Sequence, residues 1–321
     1  MQSQHTSPQQ AGPAGPAGPD GKGRREAELE AEGRRRAPWK PLQARVAACR
    51  PLEGGWVELV LHAPHVAQHA RPGQFVAIGL RPSWPVGWDP FLRRPFSLFD
   101  WDPAAGQVAV VYRPGGRGTA AFQLLSEGSP VEVLGPLGRS FPEPVRPGFA
   151  AGSRLLLAGE GHGVLVLAAA ARWASRAGRR VRLLAGGPTR SAVAALERLA
   201  QPGVELELLT ADGSAGRPGQ VARAVEEALS GDAPAEVWAS GPEPMLVAVK
   251  EACRRAGVVA YLNVERPMAC GFGLCMGCSV PRASGFGYWH ACVDGPVFRA
   301  EEVVLDGEPS RGSRGGCGGG R

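Results

Sequence analysis

The chain has 321 residues, of which 44% are hydrophobic and 21% charged, and its formal net charge is +6. These values are typical of a globular protein with two or three domains. The basic residues are scattered rather than gathered in one block, so the charge does not indicate nucleic-acid binding. Glu160, His162 and three glycines interrupt the most apolar stretch, residues 155–171, which is too short to span a bilayer. We expect no membrane segment and a cytoplasmic protein.

Both ends of the chain are poor in large apolar residues. Residues 1–40 begin with a repeated Ala-Gly-Pro pattern and continue into a charged run, and residues 309–321 are rich in glycine. Such segments bury too little apolar surface to offset the entropy lost on ordering. We therefore expect a disordered tail at residues 1–40 and a glycine-rich tail at residues 309–321.

Residues 41–148 show short alternating strands separated by glycine and proline. Strands are predicted at residues 56–61, 74–78, 107–112 and 130–134. Short strands at this spacing predict an antiparallel β-barrel or sandwich.

Two motifs in this region suit the pyrophosphate of a nucleotide. The first consists of Arg94, Pro95, Phe96 and Ser97, and the second of Gly118 and Thr119 at the start of a short helical stretch. An arginine fork matches phosphate geometry, and the free amides of a helix start favour anions. Each motif alone is equally compatible with a surface arginine and a glycine turn, so that alternative stays open.

Residues 149–257 alternate between strands and helices. The apolar strand 154–159 runs into a glycine turn and then into a helix at 164–172. Further strands are predicted at 181–185, 204–209 and 236–240, and further helices at 191–200, 219–229 and 244–256. This alternation predicts a Rossmann-like parallel α/β domain with helices on both faces of the sheet.

Two glycine turns follow strands of this domain. They contain Gly159, Gly161 and Gly163 in the first turn and Gly241 and Pro242 in the second. Ligands of open α/β sheets bind outside the carboxyl ends of strands, so we expect both turns to face one dinucleotide. We interpret His162 as a loop residue facing that crevice. No Ser/His/Asp or Cys/His arrangement is recognisable, and we predict no catalytic residue on this chain.

Four cysteines mark the remaining module, residues 258–308. They are Cys270, Cys275, Cys278 and Cys292. The first three have the C-x4-C-x2-C spacing of a plant-type [2Fe–2S] site, and the neighbouring glycines permit a tight backbone wrap. Zinc fits less well because only one Cys-x-x-Cys pair is present, and disulfides fit poorly because no secretory signal opens the chain. We read Cys49, Cys253 and Cys317 as ordinary thiols.

The three modules in this order resemble the ferredoxin–NADP reductase superfamily, and more narrowly the electron-transfer subunits of type B dihydroorotate dehydrogenases. The resemblance covers about residues 42 to 305. Its most specific parts are the segments 268–278 and 292–298, which contain the four cysteines. The fold class expected is therefore a multi-domain β plus α/β protein with an FAD-binding barrel, an NAD-binding domain and a small [2Fe–2S] module.

The resemblance also implies how cofactors and partner are arranged. FAD would bind the barrel through residues 94–97, through Gly118 and Thr119, and along Val111, Tyr112 and Arg113. NAD(H) would bind the α/β domain. The cluster would lie between FAD and the FMN of a separate catalytic subunit that oxidises dihydroorotate, in a heterotetramer of two subunits of each kind. Flavin must stand between nicotinamide and cluster because it alone exchanges both hydride and single electrons.

The first glycine turn departs from the family pattern. Glu160 and His162 lie where further glycines are usual, and the Glu160 carboxylate opposes an approaching pyrophosphate by charge.

Two alternatives to the dihydroorotate dehydrogenase function remain from the sequence. One is the NAD(P)H-linked flavin/iron–sulfur subunit of a ferredoxin reductase, sulfide dehydrogenase or hydrogenase, against which the four cysteines count because such relatives can replace one with aspartate. The other is a nucleotide-binding protein without redox activity that holds zinc in its cysteines.

Overall fold

The computed structural model describes residues 20–34, 38–80, 91–193 and 202–305. Most of the predicted helix 191–200, the tail 309–321 and Cys317 lie outside these residues. No helix within the described ranges is long and apolar enough to cross a lipid bilayer.

An N-terminal arm, defined here as residues 20–34, packs against the rest of the chain through the buried side chain of Leu29 and through charged groups. Its helix α1 (Asp20–Ala31) leads to Arg34, which is fully buried. The guanidinium of Arg25 lies 3.8 Å from the ring centroid of Trp289, and Arg25 and Arg34 both pair with Glu302, at 3.1 and 3.4 Å. The expectation of disorder is wrong for residues 20–34, while residues 1–19 and 35–37 lie outside the described part of the chain.

The first domain is one antiparallel sheet. In chain order its strands are β1 (Lys40–Leu52), β2 (Trp56–His62), β3 (Phe75–Leu80), β4 (Arg94–Ser97), β5 (Asp100–Asp102), β6 (Gln107–Tyr112) and β7 (Pro130–Leu137). Across the sheet the order of the strands is β4-β3-β7-β1-β2-β6-β5. Short helices α2 (Pro64–His69) and α3 (Arg117–Ala121) connect strands. Leu59 and Leu61 are buried while Val60 between them is only half-buried, as the two-residue period of a strand requires.

The second domain is a parallel sheet with one antiparallel edge strand. Its strands are β8 (Arg154–Glu160), β9 (Arg180–Gly187), β10 (Val204–Thr210), β11 (Arg217–Pro218), β12 (Glu236–Ser240), β13 (Val259–Asn263) and β16 (Val297–Arg299). Across the sheet the order of the strands is β11-β10-β9-β8-β12-β13-β16. The helices are α4 (Gly163–Arg176), α5 (Arg190–Val193), α6 (Val221–Ser230) and α7 (Glu243–Ala256). This arrangement confirms the predicted fold class.

The predicted boundary at residue 258 does not match the sheet. Strand β13 pairs in parallel with β12 and therefore belongs to the α/β domain, and β16 returns from the cysteine module to pair with β13. The sequence places the strand at residues 259–263 in the cysteine module because sequence pattern does not reveal strand pairing.

The cysteine module is an irregular loop followed by the two-stranded ladder β14 (Ser279–Pro281) and β15 (Tyr288–His290). The N–H of Arg139, just after β7, donates to the carbonyl of Gly295 at 2.6 Å. Near the same junction, the rings of Phe141 and Trp238 stack at 4.8 Å. The antiparallel sheet, the parallel sheet and the cysteine module therefore pack together around one junction.

Candidate functional site

A crevice of about 190 Å³, here called the barrel crevice, lies at this junction. Five of the residues predicted to bind FAD line it: Pro95, Phe96, Ser97, Val111 and Tyr112. The facing wall comes from the α/β domain and the cysteine module and includes His162, Asn263, Glu265, Arg266, Met268 and Pro296. The tertiary fold thus brings strands β4 and β6 of the barrel against residues from both other modules.

The two predicted phosphate motifs lie side by side. A Cβ atom on Gly118 would overlap the guanidinium group of Arg94, so this approach requires a glycine unless Arg94 moves. The hydroxyl of Thr119 accepts hydrogen bonds from the N–H groups of Gly115, at 3.0 Å, and Gly116, at 3.3 Å. Thr119 therefore shapes the turn before α3, and Gly118 lets the arginine reach that turn.

The end of β6 has an unsatisfied polar group. The ring of Tyr112 packs against Phe96 with centroids 5.2 Å apart, and its hydroxyl is buried with no hydrogen-bond partner among the described residues. A buried polar group without a partner costs about 1 to 3 kcal/mol of stability. A bound molecule with a polar atom beside the Tyr112 hydroxyl would remove this cost. Arg113 is exposed and donates to the carbonyl of Gly54 at 2.7 Å. These features fit the FAD expected along this crevice.

The two glycine turns of the α/β domain meet at a second crevice of about 230 Å³, here called the turn crevice. It is lined by Gly161, Gly163, Gly241 and Pro242 among others. Gly159 lies beneath, where a Cβ atom would come within 2.9 Å of the Cα atom of Val164 and push α4 off β8. The structure therefore brings the predicted turns together, with Gly159 in a packing position.

The turn crevice has features that fit the diphosphate of a dinucleotide. Helices α4 and α7 begin there, and neither start is capped by a side chain. A Cβ atom on Gly163 would overlap the carbonyl of Ser240, so the two turns are in contact. Free N–H groups at helix N-termini attract anions, which supports the expected NAD site.

The charged groups of the turn crevice oppose that attraction in part. Arg266 makes two hydrogen bonds to Glu243, at 2.8 and 3.1 Å, and Nε2 of His162 lies 3.7 Å from the Glu265 carboxylate. Both cationic candidates therefore face a carboxylate already. The side-chain carboxylate of Glu160 has no hydrogen-bond or ion-pair partner among the described residues, and burial raises its pKa.

Glu265 and Arg266 are absent from the site residues predicted from the sequence. Both line the two crevices, as does His162, which the sequence placed correctly in the crevice. They follow β13 directly, and the carboxyl ends of parallel strands are where ligands of such sheets bind. Assigning residues 259–263 to the sheet would have found them.

Of the four predicted cluster cysteines, Cys270, Cys275 and Cys278 lie on the loop before β14, and Cys292 lies in the turn after β15. The Sγ atom of Cys270 accepts hydrogen bonds from the N–H groups of Leu274, at 3.3 Å, and Cys275, at 3.4 Å. Burial raises the pKa of the Cys270 thiol, but these backbone donors outweigh it and hold the pKa at about 7. The Sγ atoms of Cys278 and Cys292 are 3.2 Å apart, and this shared hydrogen bond lowers the pKa of Cys278 to about 6 while it raises the pKa of Cys292.

This arrangement fits a [2Fe–2S] cluster. The lowered pKa values of Cys270 and Cys278 favour thiolates at these two positions, and thiolates are the ligands that such clusters need. Gly271 and Gly273 have φ values of 80° and 91°, so the backbone wrap depends on glycine. Within the described ranges, no three side chains of His, Cys, Asp or Glu converge as ligands of one metal ion.

The cluster loop packs directly on the barrel. A Cβ atom on Gly271 would lie 3.3 Å from Leu137 and 3.8 Å from the ring of Phe75. Phe75 also lines the barrel crevice, as does Met268 from the start of the cysteine loop. The cysteine loop and the barrel crevice are therefore contiguous.

Comparisons with known proteins identify related chains. The iron–sulfur cluster binding domain of dihydroorotate dehydrogenase B matches residues 265–304. The dihydroorotate dehydrogenase B (NAD(+)) electron transfer subunit of Bacillus caldolyticus is 41% identical over 263 residues, which cover 81% of this chain and 97% of the relative. The subunit of the same name from Geobacillus thermodenitrificans is 42% identical over 251 residues, which cover 77% of this chain and 92% of the relative.

Solved structures agree in fold. The NADH-dependent reduced ferredoxin-NADP oxidoreductase, described for flavin-based electron bifurcation, superposes with a TM-score of 0.70 at 29% identity. That match covers 82% of this chain and 90% of the other. The ferredoxin reductase in carbazole 1,9a-dioxygenase, at 24% identity and a TM-score of 0.55, shares the fold over 69% of this chain and 67% of its own.

Proposed function

Because the chain belongs to the family of dihydroorotate dehydrogenase B (NAD(+)) electron transfer subunits, we propose which residues hold the cofactors and which face meets the catalytic subunit. The family predicted from the sequence is confirmed. The chain is an oxidoreductase subunit of pyrimidine biosynthesis that works with FAD, a [2Fe–2S] cluster and NAD, and it requires a catalytic partner subunit. Bound flavin exchanges hydride with nicotinamide and single electrons with an iron–sulfur cluster.

FAD is assigned to the barrel crevice and the adjoining phosphate motifs. Arg94 and the turn at Gly118 and Thr119 would hold the pyrophosphate, since an arginine fork forms charge-assisted hydrogen bonds with phosphate oxygens. Pro95, Phe96, Ser97, Val111 and Tyr112 would lie along the cofactor. Arg113 is assigned to the same site by its place after β6, although its side chain is held by Gly54.

The thiolates of Cys270, Cys275, Cys278 and Cys292 are assigned as the cluster ligands. The turn crevice, with Gly161, Gly163, Gly241 and Pro242, is assigned to NAD(H), and Gly159 supports it by letting α4 pack on β8. His162, Glu265 and Arg266 stand between the two crevices and would position the nicotinamide end of the dinucleotide toward the barrel.

The observation that carries this assignment is the contact of all three sites around one junction. Phe75 touches both the cysteine loop and the barrel crevice, and His162 lines both the barrel crevice and the turn crevice. An electron-transfer subunit needs such adjacency, because each of its cofactors must exchange electrons with the next.

The exposed tip of the cysteine loop is the proposed docking face for the catalytic subunit. Leu274 and Met276, on either side of exposed Cys275, are 73% and 56% exposed. Met276 also has a φ of 61°, a conformation that non-glycine residues adopt at a cost and that is common at functional sites. We propose that the FMN-containing catalytic subunit covers this tip, in a heterotetramer of two subunits of each kind.

The test is reconstitution with a catalytic subunit under anaerobic conditions. Dihydroorotate should reduce the FAD of this chain only when the catalytic subunit is present, and NAD(+) should then be reduced. Light scattering coupled to size exclusion should give the mass of two subunits of each kind. Separate elution of the two chains, with no reduction of FAD by dihydroorotate, would refute the proposed complex.

A further inference from the structure

Glu160 occupies a position that any ligand spanning the carboxyl end of the parallel sheet must pass. Beside the turn crevice lies a third crevice of about 390 Å³, formed at the ends of β9 and β10 and the start of α6. Glu160 and Pro242 are the two residues that line both. A dinucleotide that reaches from one crevice into the other therefore passes the Glu160 carboxylate.

No described residue forms an ion pair with the carboxylate of Glu160. In the turn crevice the other ionisable groups are His162, Glu243, Glu265 and Arg266, and the two cationic candidates already face Glu265 and Glu243. In the third crevice, β9, β10 and α6 contribute Gly186, Gly187, Ala211 and Gln220, none of which is ionisable. Apart from His162 and Arg266, no cationic side chain among the described residues lines either crevice, so none offsets a second negative charge beside Glu160.

We propose that Glu160 takes up a proton from solvent when the anionic diphosphate of NAD(H) binds, so that dinucleotide affinity falls as pH rises. This inference rests on the proposed NAD site and adds a regulation of it. The physical reason is that two like charges brought into one partly buried crevice favour the neutral form of the group that can be neutralised. Proton uptake and affinity are then linked, since a ligand that favours the protonated state binds that state more tightly.

The direction of the burial effect agrees with this mechanism. Burial already raises the pKa of Glu160 in the free protein, and the diphosphate would raise it further. Proton uptake is therefore expected where Glu160 is ionised in the free protein and neutral in the complex.

The experiment is calorimetric titration of the FAD- and cluster-loaded protein with ADP-ribose, which carries the diphosphate but no nicotinamide. Titrations in buffers of different ionisation enthalpy, from about pH 5.5 to about pH 8.5, give the number of protons taken up. The wild type should take up as much as about one proton per ligand. Glu160→Gln should bind about tenfold more tightly at the alkaline end and take up none.

His162→Gln is the matched control, because a protonated histidine in the same crevice would also favour anions in acid. It should keep the proton uptake that Glu160→Gln loses. Glu160→Gly offers a second test in case glutamine disturbs the turn, and it should also bind without proton uptake.

Two outcomes would overturn the inference in distinguishable ways. Proton uptake that persists in Glu160→Gln, or unchanged or weaker binding by that variant, would remove Glu160 from this role while leaving the NAD site intact. Absence of ADP-ribose binding by wild type and variants at every pH would instead refute the dinucleotide site, and this inference with it.

Discussion

Two half-buried carboxylates differ in what surrounds them: Glu302 lies under the N-terminal arm and Glu160 lies in the turn crevice. Burial raises the pKa of Glu302, but the charges of Arg34 and Arg25 outweigh it and hold the pKa below the usual value. The N–H of Arg299 also donates to Glu302, at 2.8 Å. Burial raises the pKa of Glu160 as well, and no cation of the described chain offsets it.

This difference in ion pairing indicates which charged groups of the chain are available to bind other molecules. Glu302 is neutralised by residues about 270 positions away, so its ion pairs hold the arm against the cysteine module. Glu160 is left unpaired in a crevice, where a perturbed carboxyl group indicates a functional position. Buried charge paired within the chain contributes to folding, and unpaired charge in a crevice remains available to a ligand.

The largest expected effect comes from breaking the arm's ion pairs. Arg34→Met should lower the free energy of local opening of the cysteine module by about 1 to 3 kcal/mol, because the half-buried Glu302 carboxylate loses one of its two arginine partners. Hydrogen exchange of amides in residues 288–303 measures this opening. Arg223→Met, whose side chain is 81% exposed and pairs with Glu227, is the control and should change protection by less than about 0.5 kcal/mol. Equal protection in both variants would show that the arm does not stabilise the module.

The next effect concerns the close approach of Arg94 to Gly118. Gly118→Ala should displace the guanidinium group and weaken FAD binding by about tenfold or more, through loss of a charge-assisted hydrogen bond. Flavin fluorescence on dilution gives the dissociation constant. Gly116→Ala is the matched control, because its φ of −172° suits any residue and no atom lies within 4 Å of the added Cβ. If both variants bind FAD alike, Arg94 does not hold the pyrophosphate.

A third prediction concerns an exposed apolar side chain rather than a charge. Met276→Asn keeps a residue that tolerates positive φ and removes the apolar group, so the cluster loop should remain intact. Association with the catalytic subunit should weaken by about tenfold or more if Met276 becomes buried there. Leu124→Asn, at a site 66% exposed elsewhere on the barrel, should leave association unchanged. Surface plasmon resonance between the two subunits measures the affinity of each variant. Unchanged affinity of the Met276→Asn variant would show that the interface lies elsewhere.

The pH dependence of stability should have opposite sign for the two carboxylates. The lowered pKa of Glu302 contributes stability that is complete above the ordinary glutamate pKa of about 4.3 and is lost as pH falls through its folded value. The raised pKa of Glu160 costs stability as pH rises through its folded value. Glu302→Gln should therefore unfold at lower temperature than wild type above that range, and Glu160→Gln at slightly higher temperature. Both differences in melting temperature should vanish in acid. Differences from wild type that stay the same at every pH would contradict the predicted pH dependence.

Local patterns in the sequence determined the site-bearing segments. The cysteine spacing and its glycines sit within nine consecutive residues, 270–278, so a local rule is sufficient to identify the cluster loop. The alternation of strands, glycine turns and helices in residues 154–256 likewise depends on neighbours in the chain, and the parallel sheet was predicted from it. The family resemblance rested on these same segments.

Pairings across the chain were decided only by the tertiary structure. The composition of the arm predicts disorder because it has few large apolar residues, whereas in the structure Leu29 is buried and Arg25 and Arg34 pair with Glu302. Strand β13 joined the α/β sheet through pairing with β12, which also placed Glu265 and Arg266 in the crevices. Whether a carboxylate is paired, as at Glu302, or unpaired, as at Glu160, depends on contacts between distant segments. Sequence periodicity reports which face of an element is buried, but not which charge it is buried against.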